Sequence, residues 1–340
     1  MQAVVLVKYG NPERAFELRE LNKPEPKEGE VRIKVDAFGL NYSDVMARKG
    51  MYKDAPPLPA VIGYDVVGHV DKIGPGVDEE LLGKRVVALT RFGGYAEYAV
   101  ANQLVVHRIN DQLTNASATA LATQYSTAYY AANMATNILE GDHVLIHAAA
   151  GGVGLALIQL AKLKNSVIYA TASSDMKIKM LEELGVNYPI NTEDTDFVEE
   201  IENIRGSEGL DIIFDSIGGK SVKKGFRLLS PGGRIVCYGG SKRSDGNGII
   251  NDLKLAIGFG IYSPITFLMQ SKSLIGVNML RISDERASII KVAMENIIEL
   301  VNNKTISEPV ARAFPVSDIS EAHNLLESRE SVGKLAIEWK

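Results

Sequence analysis

Apolar positions along the chain follow two rhythms, and the change between them marks its organisation. Up to about residue 122 they alternate. In residues 30–38, Val31, Ile33 and Val35 occupy every second position, the period of a strand with one buried face. Residues 63–73 and 84–89 look similar, turns such as Gly74-Pro75-Gly76 separate the segments, and residues 1–8 read as a first strand. Such a segment suits a partly open barrel. Residues 115–133, rich in Ala and Thr, read as a helix leading onward. Beyond it the apolar residues come in unbroken runs at 144–146, 167–170, 211–215 and 234–238. Helical stretches at 155–162, 176–184 and 220–229 lie between them. Strands alternating with helices of this length specify an α/β unit with a parallel, doubly wound sheet. After Tyr238 the pattern breaks into a polar, glycine-containing loop (239–248) and an apolar window (255–269). A further strand at 273–279 and helical periodicity at 284–301 and 317–328 follow. The tail 333–337 reads as a strand expected to return to the first segment. The expected division is 1–122 with 283–340 as one domain and 123–282 as a second domain inserted into it. A cleft between them is the default place for a ligand.

Composition narrows the class. Hydrophobic residues make up 46% and charged residues 23% of the 340, ordinary for a soluble globular enzyme. A net charge of −5 gives no electrostatic reason to expect nucleic acid. The single cysteine, Cys237, excludes an internal disulfide and fits a reducing compartment; its apolar strand marks it as a core residue. The N-terminal apolar run is too short for a secretory signal. The window 255–269 is shorter than the roughly 20 residues of a spanning helix and is interrupted by Gly258, Gly260 and Pro264. A cytoplasmic location is therefore expected.

The stretch His147-Ala148-Ala149-Ala150-Gly151-Gly152-Val153-Gly154 joins a strand to a helix. Its spacing, Ala149-x-Gly151-x-x-Gly154, lets the backbone approach a pyrophosphate and points the first helical N–H groups at it. A purely structural tight turn is the alternative. After the second strand, Thr171-Ala172-Ser173-Ser174 offers hydroxyls where NAD-preferring domains carry a carboxylate. Ser173 and Lys177 would accept a 2′-phosphate, so NADPH is the expected cofactor. Asp175 argues the other way unless it caps the next helix, and Lys177 would also suit an exposed helix face.

Asn41-Tyr42-Ser43-Asp44 resembles the Asn-aromatic-x-Asp motif of the zinc-independent quinone oxidoreductases, within the medium-chain dehydrogenase/reductase superfamily. Residues 40–52 look closest to the vesicle amine transport protein-like branch, and the glycine turn and Gly333-Lys334 are also similar. The resemblance spans essentially the whole chain. It implies a GroES-like partly open β-barrel catalytic domain and a Rossmann nucleotide-binding domain. Zinc enzymes of the superfamily carry a cysteine where Asn41 stands, Gly-His-Glu where Gly63-Tyr64-Asp65 stands, and a third ligand at Thr123. The four-cysteine lobe is absent, and the five histidines show no ligand spacing, so no metal is expected. Without a Lewis acid, the favoured substrates are those that spread the incoming negative charge, namely quinones and α,β-unsaturated carbonyls. An enoyl-thioester or alkenal reductase, and a vesicle- or lipid-associated binding protein with little catalysis, are the competing readings.

The same resemblance supplies candidate roles. Tyr52, after Gly50, is a hydrogen-bond or proton donor, or else a surface-loop tyrosine. Asn41 donates to substrate or ribose, or shapes an Asx turn. Asp44 is a cap sooner than a base, and Tyr64 faces the cleft or fills volume. Around the cofactor the expected contacts are Thr127 at the carboxamide, Gly151, Gly152, Val153 and Gly154 at the pyrophosphate, and Thr192 and Ser216 at the adenosine half. Tyr238, Gly239 and Asn278 are expected at the nicotinamide, with Lys334 included from its Gly-Lys motif. Ser241-Lys242-Arg243 reads as a solvated loop. Relatives pair their last nucleotide-domain strand, here 274–277, so a homodimer is expected, with a small-molecule substrate and at most a surface association with membranes.

Overall fold

The computed structural model describes residues 1–241 and 257–339. The chain separates into two compact units, residues 1–126 with 279–340, and residues 127–278.

In the first unit, β1 (Gln2–Leu6) pairs antiparallel with β2 (Phe16–Glu20). The long β3 (Glu30–Leu40) pairs antiparallel with β4 (Asp65–Ile73) and β6 (Tyr98–Asn102). In turn β4 pairs with β5 (Arg85–Leu89), and β5 with β7 (Val106–Arg108). The alternation of β3 has its expected effect: Val31, Ile33 and Val35 are buried in the core, while Arg32 ion-pairs with Asp71 of β4 at 2.9 Å. Residues 115–135 form one helical run with wider turns at Leu121–Tyr125 and Tyr130–Ala135. Thr114 caps it, accepting from the Ser117 N–H at 3.1 Å.

The second unit is a six-stranded parallel sheet. Its strands are β8 (His143–Ile146), β9 (Val167–Ala172), β10 (Tyr188–Asn191), β11 (Leu210–Asp215), β12 (Leu229–Cys237) and β13 (Ser273–Gly276). They lie in the order β10-β9-β8-β11-β12-β13. Strand order reverses between β8 and β11, the switch point of a doubly wound sheet. Val144, Leu145, Ile146, Ile212, Ile213 and Phe214 are all fully buried, as continuous apolar runs covered on both faces require. Strand β10 escapes the hydrophobic pattern because it has four residues and contains Pro189; the sheet tolerates the proline because β10 is an edge. Of the apolar window, residues 255 and 256 lie outside the described residues. In the rest, Ile261 is 93% exposed, and Leu268 and Met269 of the helix Pro264–Gln270 are also exposed. Phe259, Tyr262 and Phe267 turn inward, with Tyr262 4.5 Å from the Phe226 ring and Phe267 edge-on to it at 5.5 Å. Residues 242 and 243 of the expected basic loop are outside the described residues.

The chain then completes the first unit with β14 (Ala311–Pro315) and β15 (Lys334–Glu338). β15 lies between β14, to which it is parallel, and β3, to which it is antiparallel. The sheet order is β14-β15-β3-β4-β5-β7, with β6 also on β3. The helix expected from 284 starts earlier, at Met279–Asn302, with a non-helical break at Arg286. The helix Ile319–Glu327 is tied down at its end, where Glu327 accepts from Arg48 and, at 2.7 Å, from Lys49.

Candidate functional site

Candidate residues of the first unit gather where β3, β4 and β15 meet the helix Tyr42–Arg48. Asn41 is the N-cap of that helix. Its backbone N–H donates to Asp44 Oδ2 at 2.8 Å, and the Asp44 amide returns to the Asn41 side chain, a reciprocal capping box. Asp44 is thus a cap, fully buried, and its Oδ1 has no hydrogen-bond partner among the described residues. Burial foremost, with the Asp65 charge adding to it against the Asn41 bond, pushes its carboxyl up to about 7. Asn41 also donates from Nδ2 to Asp65 Oδ2 at 2.9 Å and accepts at Oδ1 from Lys334 Nζ at 2.9 Å. Lys334 forms an ion pair with Asp65 in which both side chains are fully buried. The other Asp65 oxygen accepts from Thr123. This corrects the expectation for Lys334: it sits behind Asn41, sealed from solvent, and not on a cofactor surface. Its Gly-Lys motif gave the residue but not its partners.

The backbone makes room for this ion pair at Gly39. A Cβ there would lie 2.3 Å from Lys334 Cε and 2.6 Å from Asp65 Oδ2. Beneath the cluster, the buried Tyr95 hydroxyl lies 3.2 Å from His323 Nε2. Burial drives His323 down to about 3, so it is neutral, and its Nδ1 has no hydrogen-bond partner among the described residues.

Tyr52 is half-buried against the same core, not a free loop residue. Its ring meets Tyr64 edge-on at 6.3 Å, and Tyr64 lies 5.0 Å from Phe92. Burial pushes the phenols of both Tyr52 and Tyr64 up, so each keeps its proton at neutral pH. The Tyr64 hydroxyl is buried without a hydrogen-bond partner among the described residues. Arg91, which stacks 5.1 Å from the Phe92 ring, is fixed by Asp284 at 2.7 Å, and Asp54 by Arg281.

In the second unit the candidates lie at the carboxyl ends of successive strands, the ligand-binding edge of a doubly wound sheet. After β8, Gly151 caps the helix Gly152–Lys162, and the first helical bond runs from Leu155 N–H to Gly151 O at 2.9 Å. The amides of Gly152, Val153 and Gly154 precede that ladder and remain available to an anion. A Cβ on Gly154 would stand 2.5 Å from Ala149 O, so only glycine lets helix and turn close up. Thr171 ties this turn to β9, a role the sequence did not disclose. Its carbonyl accepts from Ala149 N–H at 2.9 Å and its Oγ1 from Ala148 N–H at 3.3 Å. After β9 come Ser173, exposed, and Lys177, which is 7% exposed, so the exposed-helix alternative for this lysine fails. Ser174 is the N-cap of the helix Asp175–Glu183, and Asp175 lies inside its first turn, accepting from Asn191 Nδ2 at 2.9 Å. The capping role suggested for Asp175 is therefore corrected. Thr192, after β10, bonds Ala172 O at 2.9 Å through its backbone and 3.1 Å through its hydroxyl, which places it beside the β9 end. After β11, Asp215 Oδ1 gathers the amides of Ile217 and Gly218 at 2.7 Å each and so shapes the loop bearing Ser216. Tyr238 and Gly239 follow β12, the former donating its N–H to Asp215 O at 3.0 Å. Asn278 follows β13 and is exposed, while Thr127, on the helical run, is buried. A dinucleotide fits this edge: the cradle is one that a Cβ would fill, and hydroxyls line its flank.

Two family models match the chain, alcohol dehydrogenase GroES-like domain over residues 27–111 and zinc-binding dehydrogenase over residues 152–295. The human synaptic vesicle membrane protein VAT-1 homolog is 31% identical, covering 99% of this chain and 86% of that protein. The Escherichia coli quinone oxidoreductase complexed with NADPH superposes with a TM-score of 0.85 at 26% identity, over 99% of this chain and 100% of that one. The CurK enoyl reductase gives a TM-score of 0.85 at 25% identity, over 99% and 98%. With a GroES-like unit, a Rossmann-like parallel sheet and this likeness end to end, the chain belongs to the medium-chain dehydrogenase/reductase superfamily of oxidoreductases, close to the VAT-1 homologues and the quinone oxidoreductases.

Proposed function

We propose that the protein is a zinc-independent, NADPH-dependent reductase of quinones or reactive α,β-unsaturated carbonyl compounds. One observation carries the reading. At the positions where zinc relatives hold their metal, Asp65 is neutralised by the buried Lys334 ammonium and shared with Asn41 and Thr123. Asn41 and Thr123 are poor zinc ligands, and the one carboxylate among them already has its cation. A substrate reduced here must stabilise its own developing charge with help from hydrogen bonds alone. When bound, NADPH supplies a hydride, and the acceptor takes up that electron pair together with one proton from the site or solvent.

The chain's residues cover the remaining needs. The amides of residues 152–154 hold the pyrophosphate, Ser173 and Lys177 the 2′-phosphate, and Thr192 and Ser216 the adenosine half. Thr127, Tyr238, Gly239 and Asn278 orient the nicotinamide. Asn41 offers an N–H to the acceptor. Tyr52, kept protonated by its burial, donates a hydrogen bond or a proton at the reduced oxygen or carbon. The NADPH held by the quinone oxidoreductase neighbour supports the cofactor choice. The enoyl reductase neighbour supports extending the acceptors to conjugated thioesters and alkenals, which accept hydride at carbon by the same logic. We place the enzyme in the cytoplasm as a homodimer that pairs β13, an edge strand.

Steady-state oxidation of NADPH against quinones, 2-alkenals, enoyl thioesters and saturated aldehydes tests the proposal. Turnover of conjugated acceptors only, unchanged by a chelator, is the expected result. Tight NADPH binding without turnover of any acceptor would replace it with the binding-protein reading.

A further inference from the structure

We propose that Lys334 and Asp65 act as positioning residues that lock the Asn41 carboxamide in a single orientation, leaving it one N–H with which to bind the acceptor's carbonyl oxygen. The inference rests on the reductase reading and deepens it.

The hydrogen-bond accounting is specific. A carboxamide has two acceptor sites on oxygen and two N–H donors. Asn41 Oδ1 takes Lys334 Nζ at 2.9 Å, and the capping box brings the Asp44 amide to the same side chain. One Nδ2 hydrogen goes to Asp65 Oδ2 at 2.9 Å. Among the described residues these bonds leave a single donor unspent. An isolated asparagine can flip by exchanging O and N at little cost. Here a flip would set NH2 against an ammonium and the carbonyl oxygen against a carboxylate, both fully buried. In so dry a setting that reversal is heavily disfavoured, because buried charges are poorly screened. The backbone leaves room for the pair, since a Cβ at position 39 would press on both Lys334 and Asp65. Asn41 itself is 7% exposed, so a trace of its surface reaches outward while both charges behind it reach none. The arrangement yields a preorganised neutral donor, the kind of group that stabilises a developing oxyanion without reorganising during the reaction.

The test is a mutant cycle read with NADPH and 1,4-benzoquinone. Asp65→Asn with Lys334→Met removes both charges together, which avoids stranding one of them in the core. Expected are a loss in kcat of about tenfold or more, a KM for NADPH within about twofold of the parent, and a similar kcat loss in Asn41→Ala. The triple variant should be no slower than Asn41→Ala alone. A double variant at parental kcat, or losses that multiply in the triple variant, would overturn the lock while leaving the reductase intact. A second readout does not depend on turnover or on the variants folding: side-chain amide NMR of Asn41 in the parent protein. One slowly exchanging Nδ2 proton supports the lock, and rapid exchange of both overturns it. A parent protein that reduces nothing would refute the reductase, and the NMR result would then decide the lock by itself.

Discussion

Two buried titratable side chains pull the protein's stability in opposite directions with pH. Asp44 is raised from 3.8 to about 7 by burial. Its folded form holds a proton that the unfolded chain has released, so its contribution is complete below 3.8 and is lost as pH rises through about 7. His323 is lowered from 6.5 to about 3 by burial, so its contribution is present above 6.5 and is lost as pH falls toward 3. Each shift is worth on the order of a few kcal/mol, and over their shared window the two slopes offset one another. Removing one should expose the other. The melting temperature of Asp44→Asn relative to the parent should climb as pH rises from 4 to about 7. That of His323→Gln should climb as pH falls from 6.5 to about 3. Melting curves at stepped pH check both, and differences flat with pH would refute the assignments. Gly39→Ala probes the neighbouring ion pair. Its methyl would overlap Lys334 Cε and Asp65 Oδ2, so denaturant unfolding should show a loss of about 1–3 kcal/mol.

At the scale of elements, legibility followed burial. Strands β8, β9 and β11, and the Ile235-Val236 stretch of β12, announce themselves because the residues at their centres are apolar and buried. The edge strand β10 does not, since one side of its ladder needs no partner and a proline can sit there. The glycine turn was legible as spacing, and Gly154→Val tests its geometry: a side chain displacing Ala149 should weaken NADPH binding at least about tenfold by fluorescence titration. An unchanged dissociation constant would mean the turn can shift. The polar cluster of the first unit was legible only in pieces. Asn41 and Asp44 lie three apart and declare a cap, but Lys334 lies 293 positions from Asn41, and no local spacing joins them. Family likeness drew attention to that lysine and misplaced its role, because a motif conveys identity without the partner across the sheet. Thr171, anchoring the turn from β9, was hidden for the same reason.

On the scale of the whole molecule, the proposed function puts a dinucleotide at the carboxyl ends of the doubly wound strands and leaves the choice of dinucleotide to a few side chains after β9. With Asp175 held by Asn191 and Lys177 mostly buried, the expected discrimination rests on Lys177 and the Ser173 hydroxyl. Replacing Lys177 with Ala should raise the KM for NADPH about tenfold or more and leave that for NADH nearly unchanged, because only the former presents a dianionic 2′-phosphate. Equal effects on both would assign the lysine to packing. The interrupted connectivity also dictates an order of events. Strand β15 is threaded between β14 and β3, so the first unit lacks an interior strand until residues 334–338 have been synthesised. The nucleotide unit, contiguous from 127 to 278, is complete well before that. On the ribosome it should therefore mature first, while the opening barrel strands wait with an unpaired edge for a partner made some three hundred residues later. A nonsense codon just ahead of Lys334 would strip out the ammonium and the interior strand together, and so leave the contiguous parallel-sheet unit beside a first unit that cannot close its sheet.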